Sequence, residues 1–428
     1  AGTRVLVIGD SQTAGVVPNH MSFTNMLEKM LGQALGEEAL EAVNAGAGGC
    51  NPYSYLGMLE HLATLEADLV LVEGAGSPAE VNLRAGDIAN MGFAEAANLP
   101  VVLVADIDRG GVLASLVGTW ELLEPSEKAR LKGYLINKFR GDPRLFDSAL
   151  DIIAERTGLD SFGVLPWFSA ARQLPAEDGV ALEKPDVNTG GTIRIAVPRL
   201  DRIANFDDLD PLQAEPDVRV DIIHPGQPLP GDADMVLIPG SKSTLSDLEG
   251  FRAAGWDIDL KAHLRRGGTV VGLCAGYQMM GHTVSDPDGI EGKPGSTPGL
   301  GLLDAETVLT HDKKLTEEQA TELSTGEAVR GYEMHMGRTS GPALDRPMLQ
   351  LAGRSDGAIS ADGKVLGCYL HGLFASDSFR TAFLARFRQG REAGPAYEAQ
   401  VKTTLDLLAD HLEAHADMDG LLALARHR

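Results

Sequence analysis

The sequence predicts an α/β chain in which one doubly wound, parallel-sheet domain is followed by a second α/β domain. Three observations carry this. Short apolar runs between Asp68 and Asp142 (LVLV, VVLVAD, LKGYLINKF) each lead into a Gly-rich polar loop and a helix-like stretch. That alternation implies parallel strands with sites at their C-terminal ends. A second series, Ile193 to Pro198, Val218 to Ile223, Met235 to Ile238 and Thr269 to Val271, repeats the pattern. Between them Ser169 to Thr192 is rich in Pro, Gly and acids, as a linker is. The boundaries expected are an atypical N-terminal segment 1–67 that completes the first sheet, a domain over 68–168, a linker over 169–192 and a domain over 193–428.

Arg4 to Ile8 is an apolar strand that ends in Gly9-Asp10-Ser11, with helical patterns around Met26 to Leu35 and Leu56 to Leu62 and the block Asn44 to Gly49 between them. The next three strand ends carry Glu73, Asp106 with Asp108, and Asn137. A single acid there is ordinarily a solvated loop carboxylate. Three coordinated strand ends argue against that reading for the set, and clustered carboxylates at a strand end can hold a cation. Further on, Glu317 to Glu322 reads as an exposed charged helix, and Tyr397 to Arg426 as an amphipathic, surface-docked helix with Val401, Leu405, Leu408 and Leu412 on one face.

The most informative stretch is GGTVVGLCAGYQMMG, residues 267–281. A β-branched run followed by G-x-C-x-G and a helix start is a nucleophile elbow: the turn is strained, so the neighbours of Cys274 must be small. A helix N-terminus also favours a thiolate. The competing reading is a buried core cysteine. His371 stands where the strand Val365 to Leu370 meets a Gly turn, and a Cys with a sequence-distant His is the layout of thiol acyl transfer. The turn after Met235 to Ile238, through Ser241, together with the N–H of Ala275, is placed to bind an oxyanion. His335, in GYEMHMG, is either a rim or core histidine or a substrate contact.

The chain has 428 residues, long enough for two or three full cores, and no apolar run approaches a membrane span. It opens at Ala1 without Met, as a fragment or a processed chain does. Three cysteines (Cys50, Cys274, Cys368) give no disulfide framework and fit a cytoplasmic location. A formal charge of −24 argues against nucleic acid as a partner.

Taken in order, LIPGSKST, GLCAGYQMMG, GYEMHMG and GCYLHGLF resemble the amidotransferase domain of the cobyric acid synthase family, a class I glutamine amidotransferase-like domain. The blocks from Asp68 resemble that family's dethiobiotin-synthetase-like synthetase domain. The resemblance covers about 68–428. It implies ATP-dependent, glutamine-using amidation of the side-chain carboxylates of a corrinoid, cobyrinic acid a,c-diamide. Cys274 is the implied nucleophile and His371 its base. Glu73, Asp106, Asp108 and Asn137 are implied around ATP, with magnesium on Glu73 and Asp106. Ordinary class I relatives follow the His with Pro-Glu. Here Gly372 and Leu373 follow it, so a Cys–His dyad is expected, with the ring oriented by packing alone. No G-x-x-x-x-G-K-[ST] phosphate loop stands anywhere in the chain, which predicts weak ATP binding. The first 67 residues instead resemble the opening of SGNH-type hydrolases, which implies an esterase nucleophile at Ser11 and an oxyanion contact at Gly49. A glutaminase or corrinoid-binding remnant is the third class kept open.

Overall fold

A computed structural model describes residues 4–8, 41–44, 69–72, 74, 76–87, 90–175 and 190–426. Two compact units are formed, one of 1–174 with 401–428 and one of 175–400.

In the first unit β1 (Arg4–Ile8), β2 (Glu41–Asn44) and β3 (Leu69–Val72) form a parallel sheet in the order β2-β1-β3. Helix α1 (Met91–Ala96) precedes β4 (Val101–Asp106), and α2 (Val112–Leu122) and α3 (Pro125–Lys128) lead to β5 (Leu131–Phe139). Helix α4 (Asp147–Thr157) then returns the chain to β6 (Asp160–Pro166). Strands β4, β5 and β6 are parallel neighbours in that order, so the strand–loop–helix alternation builds the expected wound sheet. Ile136 and Ile153, both fully buried, centre its core with Leu116 and Tyr134.

The second unit begins with β7 (Ile193–Pro198), β8 (Ile203–Ala204), α5 (Asp210–Gln213), β9 (Val218–Ile223), β10 (Met235–Ile238) and β11 (Gly240–Ser241). Helices α6 (Thr244–Ala253) and α7 (Trp256–Arg265), strand β12 (Thr269–Leu273) and helix α8 (Ala275–Met279) follow. Next come β13 (Thr283–Asp286), β14 (Gly295–Pro298), β15 (Glu306–Glu322), β16 (Ala328–Ser340), β17 (Leu349–Leu351), β18 (Arg354–Asp356), β19 (Ala358–Ile359), β20 (Val365–Cys368), β21 (Leu370–His371) and α9 (Asp377–Leu384). The central sheet runs β19-β20-β12-β10-β7-β9, parallel except for the β19 edge. All four residues of β10 are fully buried, because a parallel strand covered on both faces reads as continuous apolar sequence. Apolar cores lie on both faces of this sheet. A second sheet, β14-β13-β15-β16-β21, carries the long β15–β16 hairpin.

Three expectations are corrected here. Glu317 to Glu322 is not a helix but the end of β15, laddered to β16 from Lys313↔Met336 to Thr321↔Ala328. Its charges have tertiary partners: Arg354 Nη2 donates to Glu318 at 2.8 Å, and buried Glu322 accepts from Ser324 Oγ and Thr325 Oγ1 at 2.6 Å each. The C-terminal tail is two helices, α10 (Tyr397–His415) and α11 (Met418–Arg426), and from Val401 it belongs to the first unit, not to the 193–428 domain expected. Ala416 bridges Gly163, Asp417 N donates to Phe162 O at 2.7 Å, and Val401, Leu405 and Ala409 are buried. At the expected linker, Ser169–Gln173 is instead a 3-10 turn of the first unit, and 176–189 lie outside the described residues. Among the described residues no helix is long and apolar enough to cross a membrane.

Candidate active site

Strand β12 delivers Cys274 at φ +50°, ψ −108°, a left-hand-side conformation that L residues rarely adopt. The surrounding glycines make the turn feasible. A Cβ on Gly276 would overlap the carbonyl oxygen of Ile238, and one on Gly272 would sit 2.6 Å from Met280 Cε. Cys274 N donates to Cys368 O at 2.9 Å, which ties the elbow to β20, and the thiol, 8% exposed, donates to Met334 O at 3.4 Å.

His371 is fully buried on β21. Its ring stacks on Tyr332 of β16, with centroids 5.3 Å apart and planes at 22°. The expectation of a ring oriented by packing alone is corrected. Nδ1 lies 2.7 Å from Asp208 Oδ2, and Asp208 Oδ1 accepts Gly372 N at 2.6 Å. Nε2 is buried with no ideal hydrogen-bond partner, and it is the ring atom left for Cys274. Burial by itself disfavours the imidazolium. The Asp208 carboxylate, by charge and hydrogen bond, and then Cys274 outweigh burial and hold the His371 pKa well above its usual value. Nothing in the spacing of the chain announces Asp208, which stands 163 residues before its partner. The acid nearest in sequence, Asp377, instead accepts Arg380 Nη2 at 2.8 Å and Tyr397 N at 3.0 Å.

Strand β16 lines the site. Asn205 Nδ2 donates to Tyr332 Oη at 2.8 Å. Asp207 Oδ2 lies 3.5 Å from the same hydroxyl, and burial followed by the charge of Asp208 pushes the Asp207 carboxyl up to about 7. His335 stacks on Tyr369 with centroids 3.7 Å apart, and its Nδ1 is buried without a hydrogen-bond partner. Beside it Glu333, fully buried, accepts Arg354 Nη2 at 2.8 Å and pairs with Lys314. Gln278, on the first turns after the thiol, donates to Met336 O at 3.2 Å and Tyr369 Oη at 3.3 Å and accepts from Thr244 Oγ1 at 3.2 Å. It stands inside the elbow motif, so a count of four residues beyond Cys274 would have found it.

Ser241 is on β11, paired with β8; its hydroxyl donates to Asp247 at 2.5 Å and accepts Ser243 N at 2.9 Å. Neighbouring Gly240 lies against the His371 ring, where a Cβ would come within 3.2 Å of Cε1. Ala275 opens α8 directly after the thiol, where a helix leaves its first N–H groups unpaired. The structure thus brings Cys274, His371, Ala275, the Gly240–Ser241 strand and β16 with His335 to one place in the second unit.

In the first unit the predicted acids meet basic side chains. Asp106 accepts Lys138 Nζ at 2.8 Å and Asp108 N at 2.9 Å, and Asp108 is held bidentately by Arg140 at 2.6 and 3.1 Å. Arg140 in turn lies 3.7 Å above the Trp167 ring. Asn137 Oδ1 accepts Lys138 N at 2.8 Å, and Lys138 is at φ +64°. Among the described residues no cluster of three or more His, Cys, Asp or Glu could hold a metal. Glu73, Ser11, Gly49 and Cys50 lie outside the described residues.

Residues 194–379 match the family model of the CobB/CobQ-like glutamine amidotransferase domain, and 57–173 match an AAA domain model. The chain is 59% identical over 371 residues to a cobyric acid synthase of Rhodobacter capsulatus, covering 86% of this chain and 76% of that one. It is 56% identical over 372 residues to the cobyric acid synthase of a Cereibacter sphaeroides strain, covering 86% and 76%. Against that of Paracoccus denitrificans it is 54% identical over 393 residues, covering 91% and 81%.

Proposed function

Because the chain belongs to the cobyric acid synthase family, we propose that Cys274 and His371 release ammonia from glutamine for the amidation of corrinoid side-chain carboxylates. The chain is accordingly a glutamine amidotransferase-type ligase of cobalamin synthesis. The observation that supports this assignment of residues is a thiol on a strained elbow facing the one free nitrogen of a buried imidazole.

The chemistry follows from those positions. His371 Nε2 takes the thiol proton as Sγ attacks the amide carbon of glutamine, giving a tetrahedral oxyanion. The N–H of Ala275 and the backbone at Gly240–Ser241 are the donors assigned to that charge. Collapse breaks the C–N bond. The imidazolium returns its proton to the leaving nitrogen, so ammonia departs and a glutamyl thioester remains. Water, deprotonated by the same nitrogen, then releases glutamate and restores the thiol. Ammonia attacks a carboxylate of cobyrinic acid a,c-diamide that has taken a phosphoryl group from ATP, and phosphate leaves as the amide forms; the first unit, with its AAA match, is the part assigned to that step. Asn137, Asp106 and Asp108 stand at the strand ends where the nucleotide is expected.

Cys274→Ser tests the assignment. It should abolish glutamine hydrolysis and labelling by a glutamine-mimicking chloroketone, while Cys368→Ser remains labelled. Glutaminase activity retained in Cys274→Ser sinks the proposal.

A further inference from the structure

We propose that Asp208 is the positioning carboxylate of the glutaminase site, supplied from the turn Phe206–Leu209 in place of an acid following the histidine. This rests on the reading of Cys274 and His371 as the hydrolytic pair. Both Asp208 oxygens are committed to the histidine turn: Oδ2 faces Nδ1 at 2.7 Å, and Oδ1 accepts Gly372 N at 2.6 Å. A carboxylate is acceptor-only, so the contact with Oδ2 requires a proton on Nδ1. That leaves the lone pair of the neutral ring on Nε2, toward the thiol, which is the tautomer a base needs. With Asp208 3% exposed and His371 fully buried, water does not compete for either atom.

The same segment holds the ring from a second side. Asn205, at φ +53°, donates to the hydroxyl of Tyr332, whose ring covers the imidazole. One short turn therefore sets both the azimuth of the imidazole, through Asp208, and its cover, through Asn205 and Tyr332. The titratable groups facing His371 are Asp207 and Asp208 from this turn, Tyr332 from β16 and Cys274 from the elbow. Asp207 is no substitute for Asp208, since its oxygen faces the tyrosine hydroxyl at 3.5 Å.

Asp208→Asn separates positioning from packing because it keeps the shape. Its amide has one acceptor and one donor end. If Oδ1 keeps Gly372 N, Nδ2 faces Nδ1 and drives the ring proton to Nε2, the wrong tautomer. If the amide flips, two N–H groups collide at Gly372. Either way glutaminase kcat should fall by about 10³–10⁴-fold, as for the equivalent change in other nucleophile–base pairs, while Asp208→Glu recovers part of it. In ¹⁵N NMR of the wild-type chain with labelled histidine, Nε2 of His371 should be the nitrogen that titrates, with Nδ1 protonated throughout. In Asp208→Asn the pKa of His371 should fall and the titrating nitrogen change. Turnover within threefold of wild type, or lost turnover with an unmoved His371 titration, overturns the proposal. Should Asp208→Asn not fold, the wild-type spectrum alone decides: titration at Nδ1 overturns it. That spectrum needs no turnover, so a wild-type chain that hydrolyses no glutamine refutes the hydrolytic reading separately.

Discussion

Gly276→Ala is the sharpest perturbation of the elbow. Helix α8 approaches β10 so closely that a methyl at residue 276 would overlap Ile238 O and lie 2.7 Å from Ile238 C and 3.0 Å from Pro239 O. Those atoms are backbone at the end of a fully buried central strand, and no side-chain rotation relieves them. The cost should sit at the upper end of overpacking, about 3 kcal/mol. For a unit of the size of 175–400 that is a fall in Tm of roughly 6–12 °C. Because the displaced helix begins at Ala275, Cys274 and the Ala275 N–H should shift with it, and chloroketone labelling should slow in molecules that remain folded. Gly250→Ala in α6 is the matched control in the same unit. Nothing lies within 4 Å of its Cβ position, so it should stabilise the helix by about 0.5–1 kcal/mol. Calorimetric melting together with labelling rates measures both. Gly276→Ala melting within 2 °C of wild type and labelled at the wild-type rate would refute the account of the elbow.

Two further outcomes are expected. Burial alone would raise the Glu333 pKa, but His335 beside it and the pairing with Lys314 and Arg354 bring it to about 2, against 4.5 for a free carboxyl. The resulting stability, on the order of 3 kcal/mol, is present above pH 4.5 and lost as pH falls toward 2; an acid melt in which Glu333→Gln loses stability equally at pH 7 and pH 3 would contradict this. The 428-residue chain carries no lysine-bearing phosphate loop, so calorimetry should show ATP with magnesium binding it more weakly than micromolar; micromolar binding with efficient corrinoid amidation would show that another loop serves.

The parts of the site that lie within one turn or one strand were legible in the sequence. The elbow was legible because strain at Cys274 demands glycines on either side, and Met235 to Ile238 because a strand buried on both faces leaves an unbroken apolar run. His371 was legible as a histidine where the strand Val365 to Leu370 meets a Gly turn. Asp208 was not, because its relation to His371 exists only after β7, β12 and β21 are assembled, and an acid in NFDDLD looks like any other loop carboxylate. Glu317 to Glu322 was misread for a related reason: a charged run reads as a solvated helix until Arg354 and the β16 ladder supply its partners. The tail was legible as amphipathic, but the surface that receives it was not.

Strand β16 gives the site a counting rule. Within five consecutive residues it places the ring over His371, the carbonyl against the thiol, the imidazole on Tyr369 and the carbonyl that receives Gln278. A one-residue slip would bring Gly331 or Glu333 to the place of Tyr332 and the wrong carbonyl to Cys274, since adjacent strand residues point to opposite faces. The hairpin has its slack elsewhere: the register of β15 against β16 breaks between Val308 and Lys313. Insertions and deletions in this family should therefore be absorbed at that break, where the strand already bulges, and be excluded from 332–336, where length itself is part of the chemistry.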